Sequence, residues 1–405
     1  MRKLLIIGKV WPEPKSSAAG TRMMQLIEFF QKENFEITFA SAANFSEFQE
    51  DLSVHNVMQE QIVLNDSSFD VFLEKLNPDV VLFDRFMTEE QFGWRVIENC
   101  PDSYRILNTE DLHFLRKARH QSVKKYGNLS NVELLSEDAI REISSIYRCD
   151  LTLLVSNFEM ELLSSEFQIP SDLLYYLPVF AKRLNGVPSF QNRHGFMFIG
   201  NYYHEPNWDA LRVLKKEIWP LIREEMPSAI LNVYGAYSGQ KVNDFHNPKE
   251  GFIVHGRAED AIAVTLKSRV SLVPLRFGAG IKGKLLEAMQ SGTPSVTTLV
   301  GSEGMTKDRD WGGTVVDDVQ QFARAAVALY EDQEVWEQSQ SRGYDILNDQ
   351  FNGEDYWDQF KAKLYFLIAN TEVSRKRYFV QRMFQYQSLM SNRYLSKWIE
   401  AKNRC

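Results

Sequence analysis

Residues 271–305 read SLVPLRFGAGIKGKLLEAMQSGTPSVTTLVGSEGM, and this stretch decides how the chain is interpreted. It predicts a strand, a glycine loop, a helix, a Gly-Thr-Pro break and a second strand. Lys282 and Lys284 stand at the predicted helix start, where free N–H groups and the helix dipole already make an electropositive end. Two lysines without an acid in that turn are unfavourable unless an anion binds there, and phosphate is the usual one. The stretch therefore predicts a site for a phosphorylated ligand.

Apolar runs alternate with helical patterns along most of the chain, which predicts an α/β protein with parallel strands covered on both faces. In the first half we expect strands at 4–7, 36–40, 80–83, 105–107 and 151–155. The pattern lapses at 178–195, which we interpret as a linker. In the second half we expect strands at 196–199, 230–234, 252–255, 270–273 and 295–298, and helices at 208–224, 258–268 and 281–291. Two similar halves with a cleft between them follow from this pattern, and ligands bind such sheets beyond the carboxyl ends of the strands.

Length and composition narrow the class of protein. A chain of 405 residues is too long for one compact core, and its net charge of −8 argues against a general nucleic-acid binder. Cys100, Cys149 and Cys405 lie far apart and cannot all pair with one another, so a reduced, cytoplasmic setting is the simpler expectation. The N-terminal apolar run is too short for a signal peptide, and no stretch reaches the roughly 18 apolar residues that a membrane span needs. We expect domains at 1–185 and 186–365, and a helical tail at 366–405.

The C-terminal tail has its own composition. Between 372 and 405 it carries eight lysines and arginines against Glu372 and Glu400, a balance of +6 in an acidic protein. Phe379, Tyr394 and Trp398 belong to a set of apolar residues at roughly helical spacing. One interpretation is an interfacial helix on anionic lipid at the inner membrane face. The other, favoured because such stripes are usually core, is a terminal helix packed on the body with a solvated basic face.

The helix predicted at 281–291 carries a polar stripe, since Lys284, Glu287 and Ser291 recur at helical spacing. A carboxylate one turn behind a phosphate-binding lysine can accept two hydrogen bonds from a ribose diol, each contributing about 1.5–3 kcal/mol. A nucleoside diphosphate fits this stripe, with its phosphates at Lys284 and its ribose at Glu287. The alternative is an exposed Lys–Glu pair, which would stabilise the helix by only about 0.2–0.5 kcal/mol.

Residues 196–305 resemble the C-terminal half of GT-B glycosyltransferases, specifically the retaining group called family 4. The matching pieces are FMFIGNYYHEPNWDALRVLKKEIWP, AILNVYG, GFIVHGRAED, LLEAMQSGTPSVTT and GSEGM, in the order and spacing of that family. The segment PEPKSSAAGTRMMQLIEFF resembles the acceptor domain more loosely. The resemblance implies two Rossmann-like domains facing a central cleft, with C-terminal helices packing back on the first domain.

The resemblance also implies roles for particular residues. Glu287 matches the glutamate that holds the donor ribose, and Lys284 falls where positive charge meets the diphosphate, with Lys282 and Arg276 as further candidates. Three glycines match loop glycines of the family, Gly278 and Gly280 beside the phosphates and Gly20 in a first-domain loop facing the cleft.

Two positions depart from the family pattern. Ala279 stands where many members carry a second glutamate near the donor sugar, and Asn201 stands at a phosphate-contact position where many carry arginine. Glu303 is an alternative carboxylate for the sugar, or a cap for the segment that follows it.

The segment RILNTEDLHFLRKAR at 105–119 follows a predicted strand of the first half. Asp111 and His113 are therefore expected at a strand's carboxyl end, and family members often carry a histidine beside the acceptor there. A histidine can donate a hydrogen bond to an acceptor hydroxyl or to a phosphate. The alternative is a loop histidine without a role. Arg116 and Arg119 either hold an anionic acceptor or solvate a helix.

By resemblance the chain is a nucleotide-sugar-dependent glycosyltransferase that retains the anomeric configuration. It would use a nucleotide-diphosphate sugar as donor substrate, with no cofactor and no metal, and a saccharide or lipid-linked acceptor. Because Ala279 and Asn201 depart from the family, a non-catalytic binding or scaffold protein of a glycan-assembly complex is the first alternative. A sugar-nucleotide epimerase on the same fold is the second.

Overall fold

The computed structural model describes residues 1–307 and 309–403, so Asp308, Arg404 and Cys405 lie outside the described part. Its architecture is two parallel β-sheets, each with helices on both faces. The first sheet has strand order β3-β2-β1-β4-β5-β6-β7. Its strands are β1 (Arg2–Gly8), β2 (Phe35–Ser41), β3 (Met58–Gln61), β4 (Val80–Asp84), β5 (Tyr104–Asn108), β6 (Leu151–Leu154) and β7 (Leu174–Tyr176).

The helices of the first domain connect these strands. They are α1 (Ala18–Lys32), α2 (Ser68–Leu76), α3 (Phe86–Asn99), α4 (His113–Tyr126), α5 (Glu137–Arg148) and α6 (Asn157–Ser165). All five strands predicted for this half are present, and each lies within two residues of its expected limits. The sequence did not predict β3 and β7, which are the two edge strands.

The second sheet has strand order β10-β9-β8-β11-β12-β13. Its strands are β8 (Phe196–Ile199), β9 (Leu231–Tyr234), β10 (Phe252–Gly256), β11 (Val270–Val273), β12 (Ser295–Thr297) and β13 (Gly313–Val315). Its helices are α7 (Glu205–Val213), α8 (Trp219–Glu225), α9 (Gln240–Asn243), α10 (Ala261–Lys267), α11 (Gly283–Gln290), α12 (Leu299–Ser302), α13 (Val319–Glu331) and α14 (Gln333–Ile346). The helix predicted at 208–224 is α7 and α8, joined by the π-helical turn Leu214–Ile218.

Three helices follow the second domain: α15 (Glu354–Ala369), α16 (Thr371–Arg377) and α17 (Phe379–Asn403). Phe360 and Leu364 of α15 are fully buried in the core of the first domain, where Trp357 stacks on Phe29 with ring centroids 4.7 Å apart. The chain therefore crosses back to its first domain, as the resemblance implied. The predicted boundary at 365 would assign most of α15 to the second domain. The structure instead packs most of this helix on the first domain.

The tail helix α17 contacts α3 and α5 of the first domain. The expectation that its apolar stripe is core is wrong for most of the stripe, because Phe379, Met383, Tyr394 and Trp398 are exposed. Phe384 is an exception, since its ring stacks on Tyr147 of α5 at 5.2 Å. Within the described residues, no helix combines the length and the apolar composition needed to cross a bilayer.

Candidate active site

The glycine loop between β11 and α11 lies at the carboxyl end of the second sheet. Helix α11 begins at Gly283 with Lys282 as its N-cap, and it has neither a side-chain cap nor an acid in its first turn. Leu285, Leu286 and Met289 form its buried side. The start of the helix is therefore electropositive, and no acidic side chain of its first turn balances that charge, as the sequence predicted.

The start of α11 faces the start of α1 across the cleft between the domains. A Cβ atom on Gly283 would lie 2.5 Å from the Cβ of Ala18, the first residue of α1. The absence of a side chain at Gly283 lets the two helix ends approach each other. Two helix N-termini that converge in this way present N–H groups and positive dipole ends to the same region.

Lys284 lies beneath the loop that follows β8. Its Nζ donates a hydrogen bond to Asn207 Oδ1 at 2.5 Å and lies 4.9 Å from the ring centroid of Phe198. Burial lowers the pKa of Lys284 to about 7, although the negative charge of Glu287 opposes this shift. A bound phosphate would restore the charged form of the lysine.

Glu287 lies one turn further along α11 and is half-buried. Burial raises its pKa to about 7, and the charge of Lys284 opposes that shift. Among the described residues, its carboxylate makes neither a hydrogen bond nor an ion pair, so both oxygens are available to a ligand. Ser291, predicted on the same stripe, is instead the buried C-cap of α11.

Asn201 lies in the loop above Lys284, and both its side-chain oxygen and its carbonyl oxygen already accept hydrogen bonds. Its Oδ1 accepts from the Tyr203 N–H at 2.9 Å, and its carbonyl accepts from Asn207 Nδ2 at 2.9 Å. Asn201 thereby shapes the loop that covers Lys284, and Asn207 links the two. The sequence analysis did not single out Asn207, although it stands in the quoted segment HEPNWD.

Gly280 brings the glycine loop against the first domain. Its φ is +65°, and a Cβ there would lie 2.8 Å from Asp111 Cβ and 3.0 Å from the Glu110 carbonyl oxygen. Only glycine fits this backbone conformation and this close approach. Asp111 and the glycine loop, predicted separately from the two halves of the sequence, are therefore neighbours.

Two first-domain side chains hold the glycine loop from across the cleft. The buried Glu159 of α6 accepts from the Gly280 N–H at 2.7 Å, and Arg119 donates to the Gly278 carbonyl at 2.9 Å. The Gly280 N–H is therefore already bonded within the protein. Glu159 lies in the first turn of α6, the helix that follows β6, and an acid at the start of a helix after a predicted strand is the signal that could have identified it.

Arg119 also forms a bidentate ion pair with Glu303, with bonds of 2.7 and 2.8 Å. Glu303 is therefore neither a cap for the next segment nor a free carboxylate. Lys282 is almost fully buried, and its Nζ donates to the Gly280 carbonyl at 2.7 Å. Burial lowers the pKa of Lys282 to about 8, although the charge of Glu303 opposes this shift.

Asp111 and His113 form a pair at the start of α4, with His113 Nε2 3.3 Å from Asp111 Oδ1. Burial lowers the pKa of His113 to about 3 against the attraction of Asp111, so the imidazole is neutral near pH 7. Burial alone would raise the pKa of Asp111, but Arg116, which forms an ion pair with it, and His113 outweigh burial and hold that pKa below its usual range.

Arg276 and Gly20 are the remaining predicted site residues. Arg276 forms an ion pair with Asp209 of α7, with bonds of 2.5 and 2.7 Å, so its guanidinium is already engaged. Gly20 lies in the first turn of α1 and not in a loop. A Cβ on Gly20 would lie 2.3 Å from the Glu13 backbone, so this glycine lets the loop before α1 fold over the helix.

Comparison with known proteins identifies the architecture. Residues 193–332 match the family model described as Glycosyl transferases group 1. Sucrose-phosphate synthase from Thermosynechococcus elongatus has a TM-score of 0.65 at 13% identity, over 91% of this chain and 100% of that one. No curated protein matches the chain.

Two further similar structures are complexes with bound ligands. A TarM variant from S. aureus, in complex with fondaparinux, alpha-GlcNAc-glycerol and UDP, has a TM-score of 0.69 at 9% identity, over 91% of this chain and 100% of that one. Anabaena HepE, in complex with UDP and glucose, has a TM-score of 0.66 at 12% identity with the same coverage. The GT-B fold is thereby confirmed, and the family match confirms the expectation of a glycosyltransferase.

Proposed function

We propose that this GT-B glycosyltransferase, with family 4-like chemistry, moves a sugar from a nucleotide-diphosphate sugar to a saccharide or lipid-linked acceptor. The observation that carries the proposal is the pair Lys284 and Glu287, half-buried one turn apart at the start of α11. The UDP complexes of TarM and HepE support a nucleotide donor in this fold.

In this proposal the donor phosphates bind Lys284 and the first N–H groups of α11. The Gly280 N–H is held by Glu159, so the contacts that Gly278 and Gly280 make with the donor come from the close passage of their backbone. Lys282 contributes charge from beneath the loop. The ribose diol donates to Glu287, whose carboxylate has no competing partner among the described residues.

We propose that transfer retains the anomeric configuration and needs neither a metal nor a cofactor. The bond between the anomeric carbon and the phosphate oxygen breaks, and the acceptor oxygen bonds to the same face of that carbon. The acceptor proton passes to the departing phosphate oxygen, so no protein nucleophile is required. Lys284 and the helix N-termini stabilise the charge that develops on the leaving diphosphate.

His113 and Asp111 are proposed to act on the acceptor side of the same cleft. The imidazole is neutral near pH 7 and can therefore donate one hydrogen bond and accept another. Asp111 orients the ring through the 3.3 Å contact with Nε2. Arg116 is committed to Asp111, so it supports this arrangement and does not bind an acceptor anion itself.

The proposed setting is cytoplasmic, with peripheral contact at the inner membrane face through the basic tail. The support for this setting is the tail's charge balance and the two described cysteines, Cys100 and Cys149, which are free and buried. A peripheral position would suit a lipid-linked acceptor.

A panel of sugar nucleotides tests the proposal. The matching donor is expected to raise the melting temperature, because it binds only the folded state, and to release free nucleoside diphosphate slowly without an acceptor. Stabilisation without release in the presence of acceptor glycans would favour the scaffold alternative. Conversion of the donor sugar without release would favour the epimerase.

Two substitutions test the assignment of the donor site. Lys284→Ala is expected to weaken sugar-nucleotide binding by about 10- to 100-fold while leaving nucleoside binding nearly unchanged, since a charge-assisted bond contributes about 1.5–3 kcal/mol. Glu287→Ala is expected to weaken both ligands by a similar factor. Titration calorimetry measures both effects.

The matched control for these variants is Lys267→Ala, which removes an exposed lysine at the end of α10 in the same domain. It should bind both ligands as the wild type does. Equal weakening of nucleoside and sugar nucleotide by Lys284→Ala would contradict the phosphate assignment.

A further inference from the structure

The face of α17 that contacts the first domain is mainly polar, with Phe384 on Tyr147 as the apolar exception. Gln381 and Ser396 are only 2% and 4% exposed. Gln381 Nε2 donates to the Cys149 carbonyl at 2.6 Å, and Gln385 Nε2 donates to the Arg148 carbonyl at 3.0 Å. The helix is therefore attached to the body largely by hydrogen bonds from amide side chains.

The face of α17 that points away from the body is apolar and aromatic. Phe379, Met383, Tyr386, Tyr394 and Trp398 are between 44% and 75% exposed. Successive members are four, three, eight and four residues apart, so they share one side of the helix. We call these five side chains the outer face. A helix on a protein surface normally buries its apolar side, and α17 does the reverse.

Positive charges surround the outer face. Arg382, Lys397 and Lys402 of α17 are exposed. Lys376 and Arg377 of α16 are exposed too, but they form ion pairs with Glu372 and Asp172. The tail's second acid, Glu400, does not cancel the three cations of α17, because it is turned inward to Arg95 at 3.5 Å. The surface therefore offers apolar rings together with cations.

The combination of apolar rings and cations indicates which kind of partner binds the outer face. A second copy of the chain would bring its own cations against these cations, which is unfavourable. A bilayer with anionic lipid satisfies both features, since aromatic side chains enter the boundary between headgroups and acyl chains and the cations meet lipid phosphates.

We propose that the outer face of α17, with Arg382, Lys397 and Lys402 of the same helix beside it, binds the surface of a membrane that contains anionic lipid. The helix lies in the membrane plane while its polar face stays bonded to α3 and α5. This inference rests on the peripheral part of the proposed function, and it does not depend on the donor site.

The attachment also orients the enzyme. Helix α17 packs on α5, and α5 packs on α4, whose first residue is His113. The membrane would then lie against the domain that carries the proposed acceptor groups. A lipid-linked saccharide is the acceptor class that such an arrangement serves.

Co-sedimentation of the full chain with vesicles tests the proposal, using phosphatidylcholine with and without phosphatidylglycerol. We expect binding to the anionic vesicles, weakened by salt. Phe379→Ser/Trp398→Ser should lower the partition by about tenfold or more, because two rings leave the apolar boundary. Arg382→Ala/Lys397→Ala should lower it by a similar factor.

The matched control is Leu299→Ser, which removes a side chain that is 65% exposed on the second domain, and it should bind vesicles as the wild type does. Unchanged vesicle binding by the two outer-face variants would overturn the proposal. A concentration-dependent dimer in light scattering that the Phe379→Ser/Trp398→Ser variant abolishes would overturn it too, in favour of a second copy. Donor hydrolysis should be normal in all these variants, so failure here is distinguishable from failure of the transferase assignment.

Discussion

Lys284 and Glu287 share one environment, which acts on them in opposite directions. Burial lowers the pKa of the lysine and raises that of the glutamate, so both values come to about 7. A bound phosphate would favour the charged form of Lys284, and a ribose diol that donates hydrogen bonds would favour the charged form of Glu287. The donor site is therefore poised to change its protonation when a ligand binds.

This predicts a bell-shaped pH dependence for sugar-nucleotide affinity, with its maximum near pH 7. Below that pH Glu287 becomes protonated and loses its bonds to the ribose, and above it Lys284 loses the proton that attracts phosphate. Affinity should fall by up to about tenfold per pH unit on each side. Calorimetry between pH 5.5 and about 9 measures the profile.

Substitutions test which residue causes the fall in affinity on each side of the pH profile. Lys284→Arg should remove the alkaline fall, because arginine stays charged throughout this range. Glu287→Gln should remove the acid fall and bind more weakly at its best pH. A profile that keeps its alkaline fall in Lys284→Arg would show that another group titrates there.

The sequence identified most of the groups that line the cleft, but not which of them bond to one another. Lys282, Lys284, Glu287, Asp111 and His113 all lie at the cleft, since local spacing places them after strands. Pairings such as Glu159 with Gly280 join residues more than a hundred positions apart. No periodicity within one half of the chain carries that information.

At the scale of elements, the glycine loop depends on one backbone conformation. Gly280→Ala should destabilise the protein by about 1–2 kcal/mol or more, because an alanine is strained at φ +65° and its Cβ would meet Asp111. Sugar-nucleotide affinity should fall as well, since the loop would shift away from the first domain. Urea unfolding and calorimetry measure the two effects.

Gly278 provides the comparison within the same loop. A Cβ at Gly278 would make only ordinary contacts, the nearest at 3.7 Å to Val300, and its φ lies outside the left-handed region. Gly278→Ala should therefore stay close to the wild type in stability. If both variants behaved alike, the close approach of Gly280 to Asp111 would not be what the loop requires.

Sequence patterns predicted the central strands of both sheets and missed three edge strands, β3, β7 and β13. β7 and β13 have three residues each, and β3 reads MQEQ with mostly exposed side chains. An edge strand has a neighbouring strand on one side only and is less buried than a central strand. Hydrogen bonds to that neighbour can hold it in the sheet although its own sequence has no apolar run. The favoured prediction for the tail, with its apolar stripe in the core, is wrong because α17 is helical as expected but turns most of that stripe outward.

At the scale of the molecule, the two domains are joined at the cleft by charged and polar contacts. Besides the bonds to the glycine loop, Tyr237 of the second domain donates to the Glu13 carboxylate at 2.9 Å. The Arg119–Glu303 pair is the strongest of these contacts, since it is bidentate and mostly buried. Such contacts set how the donor side and the acceptor side face each other.

Arg119→Ala should open the cleft, because Glu303 and the Gly278 carbonyl both lose their partner. We expect a larger radius of gyration in small-angle scattering and a loss of about 1–3 kcal/mol in stability. Adding Glu303→Gln should recover part of that loss, since no unpaired buried carboxylate then remains. An unchanged radius in both variants would show that other contacts hold the domains together.

Helix α15 supplies Trp357, Phe360 and Leu364 to the core of the domain that the chain began. Trp357 is synthesised 328 positions after Phe29, the residue on which it stacks. Until then, the apolar surface around Phe29 and Phe30 would stay uncovered on the nascent polypeptide. The first domain therefore stays incomplete until α15 has been synthesised, so we expect chaperones to bind the nascent chain until then.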